Sequence, residues 1–240
     1  PNNCSTIVNG FVSDKVDLIM ANATPALTAA VSATKDIPIL GTSITAYGVA
    51  LDLADFDGTV GGNVSGTSDL ADLSAQAAMI TEWFPETQKV GLLFCSAEPN
   101  SRYQIEEVAK YLADKGIESK EFAFTDTNDV TAVTQAAADY ADVIYIPTDN
   151  TAAANTEAIA NVLVPAKVPA ICGEEGICSG CGVATLSISY YDLGVTTGKM
   201  AAKILTGEAD ISTMAIEYTN ATKKYNAATC DALGIKPLDG

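Results

Sequence analysis

Histidine is absent from this sequence. That removes the commonest general base, proton shuttle and metal ligand together. Carboxylates, lysine or cysteine can still do chemistry, so an enzyme is disfavoured rather than excluded. Basic residues are scarce as well. Thirteen Lys and Arg stand against 30 Asp and Glu, for a formal charge of −17. A field of that sign repels a phosphate backbone, which makes nucleic acid a poor partner, and an anionic membrane surface equally so. It suits a soluble domain that is secreted or exposed at a surface. No apolar run reaches the roughly 18 residues of a transmembrane helix. The first residues do not read as a basic-plus-apolar leader. No G-x-S-x-G, Walker loop or G-x-G-x-x-G follows an expected strand.

What is present is an alternation of short apolar runs and helical periods. Leu18-Ile19-Met20 reads as a strand, Pro25 opens a helix over Ala26 to Thr34 with Thr24 as its N-cap, and Lys35 to Gly41 is the next strand. Leu70, Leu73, Ala77, Ile80 and Phe84 have helical spacing, with Ser68 or Asp69 as cap. Lys89 to Cys95 is a strong buried strand, and a helix over Ser101 to Lys115 follows. Glu118 to Phe124 alternates as a strand, and Val130 to Tyr140 is a helix. Val143 to Thr151, V-I-Y-I-P-T-D-N-T, is a buried strand that stops at Pro147 and presents Thr148, Asp149, Asn150 and Thr151 to a helix. Beyond a cysteine-containing turn come a strand over Val183 to Ser189 and a helix over Tyr190 to Leu205. Short strands are expected over Met214 to Thr219 and Lys223 to Ala228, then a last helical turn from Cys230 to Leu233.

This order predicts parallel sheets with helices on both faces. It also repeats. Val16 to Ala26 parallels Ala141 to Thr151, and Lys35 to Gly41 parallels Ala166 to Gly173. Two similar α/β lobes are expected. The first unit opens on a helix tail (Pro1 to Val12) where a strand is normal, so an N-terminal strand–helix–strand block is expected upstream, with any export signal.

Ligands of such folds sit at the carboxyl ends of strands. Thr24, Thr42, Ser43, Thr45, Ser96, Asn100, Ser101, Thr148, Asp149, Asn150, Gly173 and Glu174 all follow expected strands. Each alone is an ordinary helix-capping residue; their clustering in both halves points to a site. Asp149 and Glu174 can pair an ammonium group, while hydroxyls and helix N-termini can pair a carboxylate. That set suits an amino acid. Acid–base catalysis by the two carboxylates, as in a glycosidase, is the weaker alternative. Cys172, Cys178 and Cys181 form C-x5-C-x2-C. Zinc lacks a fourth ligand without histidine, a Cys178–Cys181 disulfide is an option, and free thiols are the default.

The chain resembles the substrate-binding proteins of ABC transporters of the tryptophan/tyrosine-associated type. The resemblance rests on F-V-S-D-K-V-D-L-I from Phe11, A-T-P-A from Ala23 and G-G-N-V-S-G-T-S-D from Gly61. It continues in K-V-G-L-L-F from Lys89, T-N-D-V from Thr127, I-P-T-D-N-T from Ile146 and G-E-E-G from Gly173. Y-Y-D-L-G-V-T-T-G-K-M-A-A-K-I-L from Tyr190 completes it. It implies a type I periplasmic-binding fold, with two doubly wound lobes joined by a hinge and closing on a small ligand in the cleft. Lobe 1 would hold residues 1–84 plus 188–212, and lobe 2 residues 85–187 plus 213–240. The implied ligand shell is Thr24, Thr42, Ser43 and Ser68 from one lobe and Asn100, Ser101, Thr148, Asp149 and Glu174 from the other. The implied function is extracytoplasmic capture of an amino acid, aromatic in several members, by a monomer that needs no cofactor or metal and performs no catalysis. It would be free in the periplasm or lipid-anchored at the outer face of the membrane, and would deliver its ligand to an ABC permease. A nucleoside or sugar ligand, or a sensor domain of the same fold, is the alternative. Tyr47 and Cys95 depart from the family pattern. Tyr47 is expected to enter the cleft or alter its floor.

Overall fold

The structure is a computed structural model that describes residues 3–238. Pro1, Asn2, Asp239 and Gly240 lie outside the described residues, and with them the ends of the expected first helix and second lobe. In chain order the elements begin α1 (Cys4–Asp14), β1 (Ile19–Asn22), α2 (Thr24–Ala33), β2 (Ile39–Ile44), α3 (Tyr47–Ala50), β3 (Val64–Ser68) and α4 (Leu73–Trp83). There follow β4 (Lys89–Cys95), α5 (Pro99–Asp114), β5 (Glu118–Phe124), α6 (Val130–Ala138), β6 (Val143–Ile146), α7 (Asn150–Ala153), α8 (Thr156–Ala166) and β7 (Ala170–Cys172). The chain ends with α9 (Glu175–Cys181), β8 (Ala184–Ile188), α10 (Tyr190–Leu205), a 3-10 turn (Ile211–Thr213), β9 (Glu217–Tyr218), β10 (Ala221–Tyr225) and α11 (Ala227–Leu233). None of the described helices is long and apolar enough to cross a membrane.

Two compact units result, residues 1–70 with 188–220 and residues 71–187 with 221–240. The first carries a sheet of order β1-β2-β3-β9, the second one of order β10-β8-β7-β6-β4-β5. The pairings β1–β2, β2–β3, β3–β9, β4–β5, β4–β6, β6–β7 and β7–β8 are parallel. Residues 71–84, expected with the first lobe, cluster with the second, because α4 buries Ala77, Met79 and Ile80 in the same core as Val90 and Leu92. Residues 213–220, expected with the second lobe, cluster with the first, where β9 extends β3.

The second unit is built on β4. Val90, Leu92 and Phe94 face a core shared with α4 and α5, while Leu93 and Cys95 face one shared with α6 and α8. A parallel strand covered on both faces reads as an unbroken apolar run, and Val90-Gly91-Leu92-Leu93-Phe94 is one. From β4 the chain passes to β5 on one side and then returns to β6 on the other, so the sheet has its topological switch point between β4 and β6.

Local chemistry moves several expected boundaries. The cap of α4 is Asp72, whose carboxylate accepts the amides of Ser74 and Ala75, rather than Ser68 or Asp69. Thr24 is the first residue of α2 and Ala23 takes the N-cap position. The expected cysteine-containing turn is a helix, α9. Glycines lower helix propensity there, but Glu174 caps the first turn and Ile177, Cys178 and Cys181 are buried. Among the described residues all six cysteines are free.

In the first unit Tyr47 is a core residue, 1 % exposed, and its hydroxyl donates to the Thr67 carbonyl at 3.1 Å. Gly41 and Gly66 are register partners on β2 and β3. A Cβ on either would collide with the Tyr47 hydroxyl, and one on Gly66 also with the Gly41 backbone. Gly66 further holds φ +149, a conformation side chains rarely adopt. The glycine pair therefore forms the slot for the phenol. Gly66→Ala should destabilise the protein by about 2–4 kcal/mol or prevent folding. Gly194→Ala, in α10 with nothing within 4 Å, should stabilise it by up to about 1 kcal/mol. Urea unfolding of the two variants checks both, and equal stabilities would overturn the slot.

Candidate functional site

The second unit gathers its polar side chains at the switch point. β4 and β6 are in register only as far as Leu92 and Tyr145. Beyond that they part, and side chains bridge the opening. Asp149, at the N-cap of α7, accepts the Cys95 amide at 2.7 Å through one oxygen and the Ala152 amide at 2.7 Å through the other. The Ser101 hydroxyl also hydrogen-bonds to it. Asp149 is 1 % exposed. Burial, then the nearby charge of Glu98, pushes its carboxyl up to about 6.

Gln104, from α5, reads both backbone groups of Thr148. Its oxygen accepts the Thr148 amide at 3.0 Å and its amide nitrogen donates to the Thr148 carbonyl at 3.2 Å. Asn100 donates to that same carbonyl at 3.1 Å. Thr148 then donates from its hydroxyl to the Gly173 carbonyl at 3.4 Å, which Gln76 also reaches, at 2.9 Å. Asn100, Ser101, Thr148 and Asp149 are thus brought into one network. Glu174 stands on the next strand end, after β7. Its carboxylate takes the Gly176 amide at 2.6 Å and the Ile177 amide of its own helix, and burial raises its pKa.

Glu98 was not foreseen as part of this network and is its most connected member. Its carboxylate accepts the Asn150 amide (2.9 Å) and side chain (2.7 Å), the Thr151 amide (2.9 Å) and hydroxyl (2.7 Å), and Asn100 Nδ2 (3.4 Å). Nothing in the local pattern A-E-P-N-S announces this, because all but the last of these partners belong to a loop some fifty positions away. Among the described residues, the ion pairs formed by Lys and Arg go to Glu121, Glu107, Glu82 and Glu175. Glu98, Asp149 and Glu174 have none.

The strand ends of the first unit are neutral. Thr42, Thr67 and Thr197 form a buried hydroxyl cluster, with Thr67–Thr197 at 2.8 Å, Thr197–Thr42 at 3.1 Å and Thr67–Thr42 at 3.4 Å. Ser68 donates to the Thr45 carbonyl at 3.0 Å and accepts the Leu70 amide at 3.1 Å. Thr24 is buried at the start of α2. Ser43 sits at φ 54, next to the register shift between Gly41 and Ile44, and Ala23 at φ 71. Positive φ at non-glycine residues is strained and concentrates where backbone shape serves function. Thr67, Thr197 and Ala23 escaped the sequence reading. Thr67 and Thr197 lie within a strand and a helix, and a backbone angle leaves no mark on an alanine. Among the described residues no cluster of His, Cys, Asp or Glu is placed to hold a metal ion.

Parallel α/β units with polar strand-end loops and buried acids define a small-ligand binding protein. Residues 1–237 match the family of ABC transporter substrate binding proteins, and the chain belongs to it. Its task is to capture a solute for an ABC importer, and such proteins work outside the cytoplasm. It is 33 % identical over 235 residues to a tyrosine-binding protein of Clostridioides difficile, covering 97 % of this chain and 67 % of that protein. The structure of a Streptococcus pneumonia ABC domain in complex with L-Trp superposes with a TM-score of 0.91 at 30 % identity, covering 98 % of this chain and 79 % of that one. A conserved domain protein from Vibrio cholerae gives 0.92 at 30 % identity, with the same coverage. More distant sugar-binding proteins share the fold alone.

Asp149 binds its proton more tightly folded than unfolded. It therefore favours the fold below about pH 4 and withdraws that contribution as pH rises toward about 6. Relative to an Asp149→Asn variant, the protein should lose roughly 2–3 kcal/mol between pH 4 and pH 7. Parallel urea titrations across that range measure the difference, and a flat difference would overturn the assignment.

Proposed function

We propose that the protein captures an aromatic amino acid and releases it unchanged to an ABC permease, acting as a monomer outside the cytoplasm. The observation that carries this reading is the row of buried carboxylates, Glu98, Asp149 and Glu174, on the loops after β4, β6 and β7, which are neighbours in the sheet. Burying several acids together is unfavourable unless a cation joins them. An α-ammonium group supplies one positive charge with three donors, and Asp149 is its anchor. Two backbone amides and the Ser101 hydroxyl orient its oxygens, and one lone pair is left for a further donor. Asn100, Ser101 and Thr148 frame that anchor. Thr24, Thr42, Ser43 and Ser68 offer donors of the kind a carboxylate takes, and none adds a charge that would compete for the ligand. The preference for an aromatic side chain is drawn from the tyrosine-binding relative and the L-Trp complex.

Asp149→Ala should weaken binding of L-tyrosine or L-tryptophan by about 100-fold in calorimetric titration. Removing the helix cap costs about 1–2 kcal/mol by itself, so circular dichroism should confirm that the variant is folded at the assay temperature. Unchanged affinity in folded protein would reject the ammonium role.

A further inference from the structure

The arrangement around α7 has a property that ligand anchoring alone does not require. Glu98 occupies the N-cap position of α5, yet its side chain makes no cap there. It crosses to α7 instead and takes the amides of Asn150 and Thr151, while Asp149 takes that of Ala152. Two carboxylates thus share the three leading amides of one short helix. Both are buried, at 8 % and 1 % exposure.

The charged and titratable groups on the neighbouring elements do not neutralise them. On β4 the facing group is the Cys95 thiol, which is itself pushed up by burial and by both carboxylates. On α5, Arg102 lies 3.8 Å from Glu121 and over the Phe94 ring. At the start of α9, Glu174 caps its own helix and Glu175 pairs with Lys224 at 2.5 Å. On α8, Glu157 is exposed. Among the described residues, no cationic side chain on these elements pairs with Glu98 or Asp149.

We propose that Glu98 is a positioning residue for the ligand loop, and that through Asp149 it couples ligand capture to the release of a proton. This rests on the amino-acid reading above. In the empty protein burial, together with the repulsion from Glu98, favours a proton on Asp149. An arriving ammonium group replaces it. The Asp149 carboxyl gives its proton to solvent, and the resulting carboxylate accepts hydrogen bonds from the ammonium, which keeps all its own protons. The net charge of the two carboxylates and their partner is the same in both states, with H⁺ on Asp149 before and the ammonium group beside it after. Capture is then favoured at neutral pH and opposed by acid. Glu98 acts in two ways here. It holds Asn150 and Thr151 so that Asp149 is presented, and it sets the pH at which the exchange occurs.

The test uses the whole protein with L-tyrosine and L-tryptophan. Titration calorimetry near pH 6, in buffers of different ionisation enthalpy, should show proton release on binding. Affinity should fall by about tenfold per pH unit as pH drops below about 6. Glu98→Gln removes the charge and two of the acceptor contacts. It should weaken binding at pH 7.5 by about tenfold and move the midpoint of the pH profile to lower pH, while Glu98→Asp should restore the midpoint. A purely structural role for Glu98 would lower affinity at every pH and leave the midpoint in place, which would overturn the proposal. Binding without proton release by the unmodified protein would overturn it too, leaving the amino-acid reading intact and needing no variant to fold. Failure of the unmodified protein to bind either amino acid at any pH would reject both.

Discussion

The hydrogen bond from the Cys95 amide to Asp149 sits where the sheet of the second unit stops holding itself together. A parallel ladder satisfies its own amides as long as the strands run side by side. At the switch point β4 and β6 turn away toward different neighbours, and the last amide of β4 loses its backbone partner. A carboxylate is the strongest acceptor available for it. Supplying that acceptor from the first turn of α7 fixes the helix to the strand. The same side chain then takes the Ala152 amide, so one residue closes a strand and opens a helix. Once that carboxylate is buried, the rest of the network follows. The amides of Asn150 and Thr151 need acceptors, and Glu98 reaches them. The Thr148 backbone between them needs both a donor and an acceptor, and Gln104 offers both. The backbone requirement of an α/β switch point therefore gathers buried carboxylates at the strand ends. The proposed cation recognition would be a consequence of that geometry as much as an addition to it.

Elements whose identity is decided by burial were legible from the residues. β4 is apolar from Val90 to Cys95 because both its faces are covered. α10 spans Tyr190 to Leu205 as its period implies, with Leu193, Thr197 and Met200 turned inward. What escaped was set by partners distant in sequence. Tyr47, expected to enter the cleft or alter its floor, is held inside by two glycines on different strands, and only their pairing in register reveals the slot. The segment after Glu174 read as a turn because its glycines discourage helix, while the carboxylate that caps it and the core that buries Cys178 and Cys181 lie outside any local window. Asn100, Ser101, Thr148 and Asp149 were visible as polar residues following strands, and they do come together. Glu98 was not, since a glutamate before a proline has the look of an ordinary helix start. Its role depends on which loop lies across the switch point, and that is a matter of strand order.

The two units meet the demand for polar strand ends with different chemistry. In the second, buried carboxylates and amide side chains create a site with strong field and few neutral donors. In the first, three threonine hydroxyls satisfy one another, and the strand ends carry backbone strain at Ala23 and Ser43 without any ionised group among the residues of the cluster. Hydroxyls in such a cluster can turn to donate or to accept, so they adapt to a ligand without a change of charge. The buried acids cannot do this, because their orientation is fixed by backbone amides and their charge is set by protons or by a cation. A cationic group offered to the strand ends of the second unit would meet oriented, charged acceptors. A polar group offered to those of the first would meet hydroxyls able to turn. Fixed charge and adaptable hydrogen bonding are therefore properties of separate units, and substitutions in one should leave the chemistry of the other unchanged.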